Sequence, residues 1–227
     1  QPDTAKRYKP LPAEMLLKLK SSLNIDSVKL NNMNVTYWEI NTDTDTLGII
    51  PVADLNVVMR NIKNYSIKPN DSIYIVASAN VLNELYTTLD VAQSYTDTTG
   101  YMRMDLATGP MDLTKFNTVL VPLVGAKIFR GDLQSLRVHA IGNNDAAVGS
   151  AYMYYNGLKL GLLNKKDLPN QKWINKVVSW AAMTFIIRNN NRGKESLVFF
   201  ERWQEKSPIN YFIKTTLEGI KSNIRLP

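Results

Sequence analysis

The chain has 227 residues, no cysteine and a single histidine, His139, which excludes disulfides, thiol nucleophiles and cysteine-ligated zinc or iron–sulfur centres. An apolar fraction of 44% over this length suits one globular domain, or a closely fused pair, with a sizeable core. The formal charge of +7 is segregated: residues 1–20 carry +3, residues 21–155 hold nine basic against thirteen acidic side chains, and residues 156–227 hold thirteen basic against five acidic.

Gln1–Leu11 (QPDTAKRYKPL) holds two prolines and basic side chains without periodicity, and is expected as an extended arm. Pro12 then opens a helix with Met15, Leu16 and Leu19 on one face. SVKLNNMNVTYWEI alternates, which predicts one strand or a hairpin bent at Asn31–Asn32. In NTDTDTLGIIP, Asp43, Asp45 and Gly48 are spaced like the start of a calcium loop. Leu47 stands at a ligand position there and has no oxygen to offer. Leu55, Val58, Met59 and Ile62 form a helical stripe, and SIYIVA is a short buried strand. Ser78 or Asn80 caps a second helix carrying Val81, Leu82, Leu85 and Leu89. The polar stretch 94–114 reads as a long surface loop or an edge hairpin. FNTVLVPLV, AKIFRG, SLRVHAIG and AVGSAYMYYNGLKLGLL are strand-like, separated by Gly125, Gly131, Gly142 and Gly157, with the RGD of Arg130–Asp132 in an expected turn.

From Leu168 to Ser222 the period becomes helical. Asp167 caps a first helix, apolar on two sides: Ile174, Val177, Val178, Ala181, Ala182 and Phe185 on one, Trp173, Trp180 and Ile187 on the other. Gly193 ends it. A second helix carries Leu197, Phe200 and Trp203 or Gln204, and Ser207–Pro208 start a third with Ile209, Phe212, Ile213, Leu217 and Ile220. The fold class expected is therefore α+β: a mixed α/β first two-thirds containing a sheet, followed by a C-terminal bundle of about three helices. The expected organisation is an N-terminal arm over 1–11, a mixed α/β domain over 12–163, a helical region over 164–222 and a tail over 223–227.

Helix, strand, helix within residues 51–90 is similar in pattern to the central domain of tailed-phage-type capsid proteins. A second resemblance is carried by SWAAMTF, which is similar to the SEAARF motif of ribosome-inactivating RNA N-glycosidases on their buried central helix. LDVAQSYTDTTGY and SAYMYYNG resemble two further stretches of that family. Its catalytic Glu and Arg, however, fall on Trp180 and Met183. Those side chains can neither stabilise an oxocarbenium-like sugar nor assist a leaving base.

A basic end beside an acidic middle suits a polyanion-binding surface, and it equally suits assembly by docking on a neighbour's acidic middle, or plain solvated faces. The expected function is a virus-type structural protein, capsid or nucleocapsid, that self-assembles by arm exchange and contacts nucleic acid, RNA first. The alternative is a toxin-like or hydrolytic enzyme acting on RNA or another polyanion. The candidate nucleic-acid residues are Lys165, Lys166, Lys172 and Lys176 near the start of the first C-terminal helix. Arg188, Asn189, Asn190, Asn191, Arg192 and Lys194 stand at its end. Cations at a helix C-terminus also satisfy its dipole with no ligand at all. No catalytic residue, metal ligand or cofactor is expected, and His139, on an alternating strand, is expected to be structural. The expected location is a virion or host cytoplasm without membrane embedding. The longest apolar run, Val177–Ile187, falls well short of the roughly 20 residues a span needs.

Overall fold

Antiparallel strands in one nine-stranded sheet dominate the computed structural model, which describes residues 8–41, 46–124, 126–162 and 189–224. The strands are β1 (Asn24–Asn41), β2 (Thr46–Lys63), β3 (Ser72–Val81), β4 (Leu85–Ser94), β5 (Met102–Thr108), β6 (Met111–Asp112), β7 (Ala126–Gly142), β8 (Ala146–Leu162) and β9 (Asn191–Glu201). Their spatial order, β1-β2-β3-β4-β5-β7-β8-β9 with β6 beside β7, is a meander in which neighbours in sequence are neighbours in space.

Helices α1 (Pro12–Leu17), α2 (Asn117–Val124) and α3 (Pro208–Ile224) pack against one side of this sheet. The alternation of β7 explains which side. Ile128, Leu133, Leu136, Val138 and Ala140 are buried and join Met104, Tyr155 and Val198 in the main core, against which Phe212 and Ile220 of α3 pack. Beneath α1, Ala13 clusters with Ile62, Ile73 and Tyr95, and the Ala13 amide donates to buried Gln93 at 2.8 Å. The sheet curls around the helices. α2 packs on both β2 and β7, and α3, seated on β7–β9, also reaches β1 through two side-chain contacts. There Asn210 donates to the Tyr37 hydroxyl at 2.9 Å and Lys214 pairs with Glu39 at 3.0 Å.

This architecture overturns the expected α+β class with its C-terminal three-helix bundle. Residues 51–90 form β2, β3 and β4, so the helix–strand–helix pattern, and with it the likeness to a phage-capsid domain, is gone. Bulges misled the period. Asp54 in β2 adopts positive φ (51°) where the register with both β1 and β3 shifts, and Asn61 also adopts positive φ (57°), between Met59 and Ile62, which pack in the same cluster. Inward residues then recur at mixed intervals, as Met59 and Ile62 do, which imitates a helical stripe. In the expected second helix, Val81 and Leu85 instead face each other across a hairpin whose tip holds Leu82 and Asn83 at positive φ.

Other segments also differ. The stretch 94–114 contains β5, which pairs with both β4 and β7 and is an interior strand, with Met102 and Met104 buried. FNTVLVPLV is helical: a 3₁₀ turn at Leu113–Phe116, capped by the Asp112 carboxylate on the Thr114 amide, leads into α2. The RGD of Arg130–Asp132 lies within β7. Leu197, Phe200 and Trp203 mark no helix. Val198 and Phe200 point inward from β9 while Leu197 and Phe199 point outward, because β8 offers this segment a ladder.

The expected helix from Pro208 is present as α3, which runs on to Ile224. Most of the expected first C-terminal helix, including SWAAMTF and Val177–Ile187, lies outside the described residues, as do residues 1–7 of the arm. Tyr8–Leu11 docks on the body. The Lys9 amide donates to the Gln204 carbonyl at 2.8 Å, Leu11 is fully buried, and the buried Arg202 guanidinium bonds the Lys9 carbonyl between the rings of Tyr8 and Tyr211. Burial pushes the Tyr211 phenol up to about 12. Among the described residues no helix is long and apolar enough to cross a membrane.

Candidate nucleic-acid interface on the outer sheet face

The face away from the helices is built by the other half of the same alternation. Cross-strand register arranges its side chains in rows. One row is Val76, Asp90, Asp105, His139, Ser150 and Leu197, running from β3 to β9. Two residues along, Ala107, Arg137, Tyr152 and Glu195 form the next row. One step further, Ser135, Tyr154 and Arg192 form a third. Asp105, Arg137, His139, Tyr152, Tyr154 and Arg192 line one open depression.

The acidic row is internally compensated. Asp90 and Asp105 stand directly opposite each other, but Asp105 also receives His139 Nδ1 at 2.6 Å and Arg103 Nε at 3.1 Å. Asp105, His139 and Ser150 occupy consecutive register positions, the residue types of a nucleophilic triad. Their geometry is different. Tyr152 stands opposite Glu195 in register, and the Glu195 carboxylate raises that phenol above its usual range while the Ser150 hydroxyl partly offsets the effect. His139 thus anchors an ion-pair network on an exposed strand, and among the described residues no hydrogen bond joins it to Ser150.

The arginines of the next two rows are unpaired among the described residues, although Glu195 shares the row of Arg137. Among the described residues Arg137 and Arg192 form no ion pair, and both are exposed. The exposed Tyr152 and Tyr154 rings stand between them. Toward the far end of β7 and β8, Phe129 is 52% exposed, with Lys127 and Lys159 Nζ at 6.0 and 5.9 Å from its ring centroid. A Cβ on Gly161 would meet the Phe129 ring at 2.9 Å, so the ring lies close over the glycine backbone and keeps its other side to solvent. Asp132 and Glu195 are the exposed acidic side chains along this strip. Cation, ring and cation thus alternate along β7 and β8.

The candidates read from sequence divide into three groups. Lys165, Lys166, Lys172, Lys176 and Arg188 lie outside the described residues. Asn189, Asn190 and Asn191 are engaged at least in part within the chain. The Asn189 carbonyl accepts from Leu158 and the Asn190 side chain from Gly157, and Asn191 is buried, donating to Asn223 at 2.7 Å. Arg192 and Lys194 are exposed at the start of β9, in a strand where a helix end was expected, and Arg192 enters the depression described above. Sequence reasoning did not single out Arg137, Tyr152, Tyr154 or Phe129. The alternation in SAYMYYNG already placed Tyr152 and Tyr154 on one face. Nothing local showed that Arg137 and Arg192 would flank them. No known family model matches the chain, and neither a curated protein nor a solved structure is significantly similar to it.

Proposed function

We propose that the protein is a self-associating structural protein of the capsid or nucleocapsid kind, acting in a virion or host cytoplasm, and that it contacts nucleic acid through the outer face of β7, β8 and β9. The observation that carries the nucleic-acid reading is the strip of unpaired cations around exposed rings, with Arg137 and Arg192 on either side of Tyr152 and Tyr154. Uncompensated Arg and Lys attract phosphates, and the counterions they release make the affinity fall steeply with salt. Self-association is supported by β1 and β9, each of which pairs with only one strand among the described residues. On edge strand β9, Leu197 and Phe199 are 80% and 57% exposed, and Phe199 continues in register into exposed Val148 and Ile141. On edge strand β1, Trp38 is 61% exposed. Unpaired strand edges beside apolar side chains are templates for another chain.

Fluorescence anisotropy with labelled oligonucleotides at rising salt tests the nucleic-acid half. Affinity that drops with salt, and more weakly so in the Arg137→Ala/Arg192→Ala double variant, is expected; absence of binding to any oligonucleotide at low salt refutes it. Size-exclusion chromatography with light scattering tests the other half. Concentration-dependent growth is expected, and a strict monomer at high concentration refutes it.

A further inference from the structure

We infer that the nucleic acid taken by this face is single-stranded, with unpaired bases stacked on Tyr152, Tyr154 and Phe129 and the phosphates running past Arg137, Arg192, Lys127 and Lys159. The inference rests on the nucleic-acid reading above and adds to it the class of ligand.

Shape is the first argument. The strip lies on a broad sheet face, whereas groove reading needs a helix or a two-stranded ribbon narrow enough to enter. A sheet surface can instead receive bases splayed out of a strand. The rings are the second argument. A duplex hides its base faces in the stack, so exposed rings gain little from it, while every unpaired base presents a face to stack. Tyr152 and Tyr154 lie two residues apart on one strand, about 7 Å along it, a step that an extended strand of nucleotides can follow. Their environment prepares them for the role. Tyr152 and Tyr154 are 39% and 41% exposed, and Gly161 leaves room for Phe129 to lie close to the sheet. Charge placement is the third argument. The cations flank the rings along β7 and β8, while Asp90 and Asp105 gather on the neighbouring row, where Arg103 and His139 hold Asp105. A phosphate backbone is thereby steered along the strip and away from Asp90 and Asp105, with Asp132 and Glu195 the acidic side chains it would pass.

The experiment compares three polyanions on the full chain by anisotropy and competition: a fluorescein-labelled oligo-dU strand, a mixed-sequence duplex of equal length, and inorganic polyphosphate, which has no bases. The single strand is expected to bind about ten-fold or more tightly than the duplex, with polyphosphate a weak competitor. Replacing the rings together (Phe129→Ala, Tyr152→Ala, Tyr154→Ala) is expected to abolish that preference and leave a salt-sensitive residue of binding. The ring-preserving pair Tyr152→Phe and Tyr154→Phe is expected to keep the preference, which separates loss of stacking from loss of fold. Equal or tighter binding of the duplex overturns the inference and leaves the nucleic-acid reading standing. So does single-strand preference that survives removal of all three rings in a folded variant. Failure of all three polyanions to bind overturns the nucleic-acid reading itself.

Discussion

The inner and outer faces of β7 and β8 share one backbone and divide its residues by turns, yet they do different work. Inward, Leu136, Val138, Ala140, Ala151 and Met153 are all at most 3% exposed and form part of one core with α3. Outward, Arg137, His139, Tyr152 and Tyr154 meet solvent and border one open depression. Because consecutive side chains point to opposite faces, stability and ligand chemistry are written on alternate letters of the same strands. A change on one face should leave the other nearly untouched.

The largest effect expected is on the inner face. Met104→Ala opens a cavity in the middle of the core, where the side chain is 1% exposed, and should cost about 2–5 kcal/mol in urea denaturation. Gly149→Ala comes next. A Cβ there would stand 2.0 Å from the His139 carbonyl oxygen and 2.7 Å from the Ala140 Cα, both backbone atoms that cannot turn aside. The strain should cost about 1–3 kcal/mol or more, read in the same titration.

On the outer face Arg137→Ala and Arg192→Ala should each change stability by less than about 0.5 kcal/mol. Each should also lower the slope of log affinity against log salt for single-stranded nucleic acid by about one. A destabilisation by Arg137→Ala as large as that of Met104→Ala would break the division between the faces.

The smallest effect lies at the turn between β2 and β3. Lys63 Nζ, 2.6 Å from the Asp71 carboxylate, holds that carboxyl below its ordinary 3.8, helped by the Lys68 amide. A carboxyl with a lowered folded pKa contributes its full stability above the unfolded value and loses it as pH falls through the folded one. Urea midpoints measured at descending pH below about 4 should therefore show a small drop that Asp71→Asn lacks.

Part of this was legible beforehand. The strict alternation of SLRVHAIG and AYMYY marks β7 and β8, and the helix begun at Pro208 keeps its period of apolar residues through Ile220. The β2 segment misled because a bulge at Asp54 and a positive-φ residue at Asn61 interrupt its alternation. Leu82 misled because a leucine at φ of 54° in a hairpin tip contradicts its own preference. For the site, Arg192 was found because basic density is visible in one dimension. Arg137 was not, since it lies 55 positions away and reaches Tyr152 and Arg192 only through strand pairing.

What the sequence determined by itself is what depends on composition and on neighbours a few residues apart: the absence of thiol chemistry, the basic C-terminal third, the short helix at Pro12, the strands with unbroken alternation and the helix that closes the described chain. The tertiary structure decided the rest. β2, β4 and β9 are strands because neighbouring ladders satisfy their backbone hydrogen bonds, whatever their apolar spacing imitates. The candidate site exists because register sets Arg137 opposite Tyr152 and Tyr154 opposite Arg192. Register is a property of pairs of strands, so no single stretch of the chain contains it.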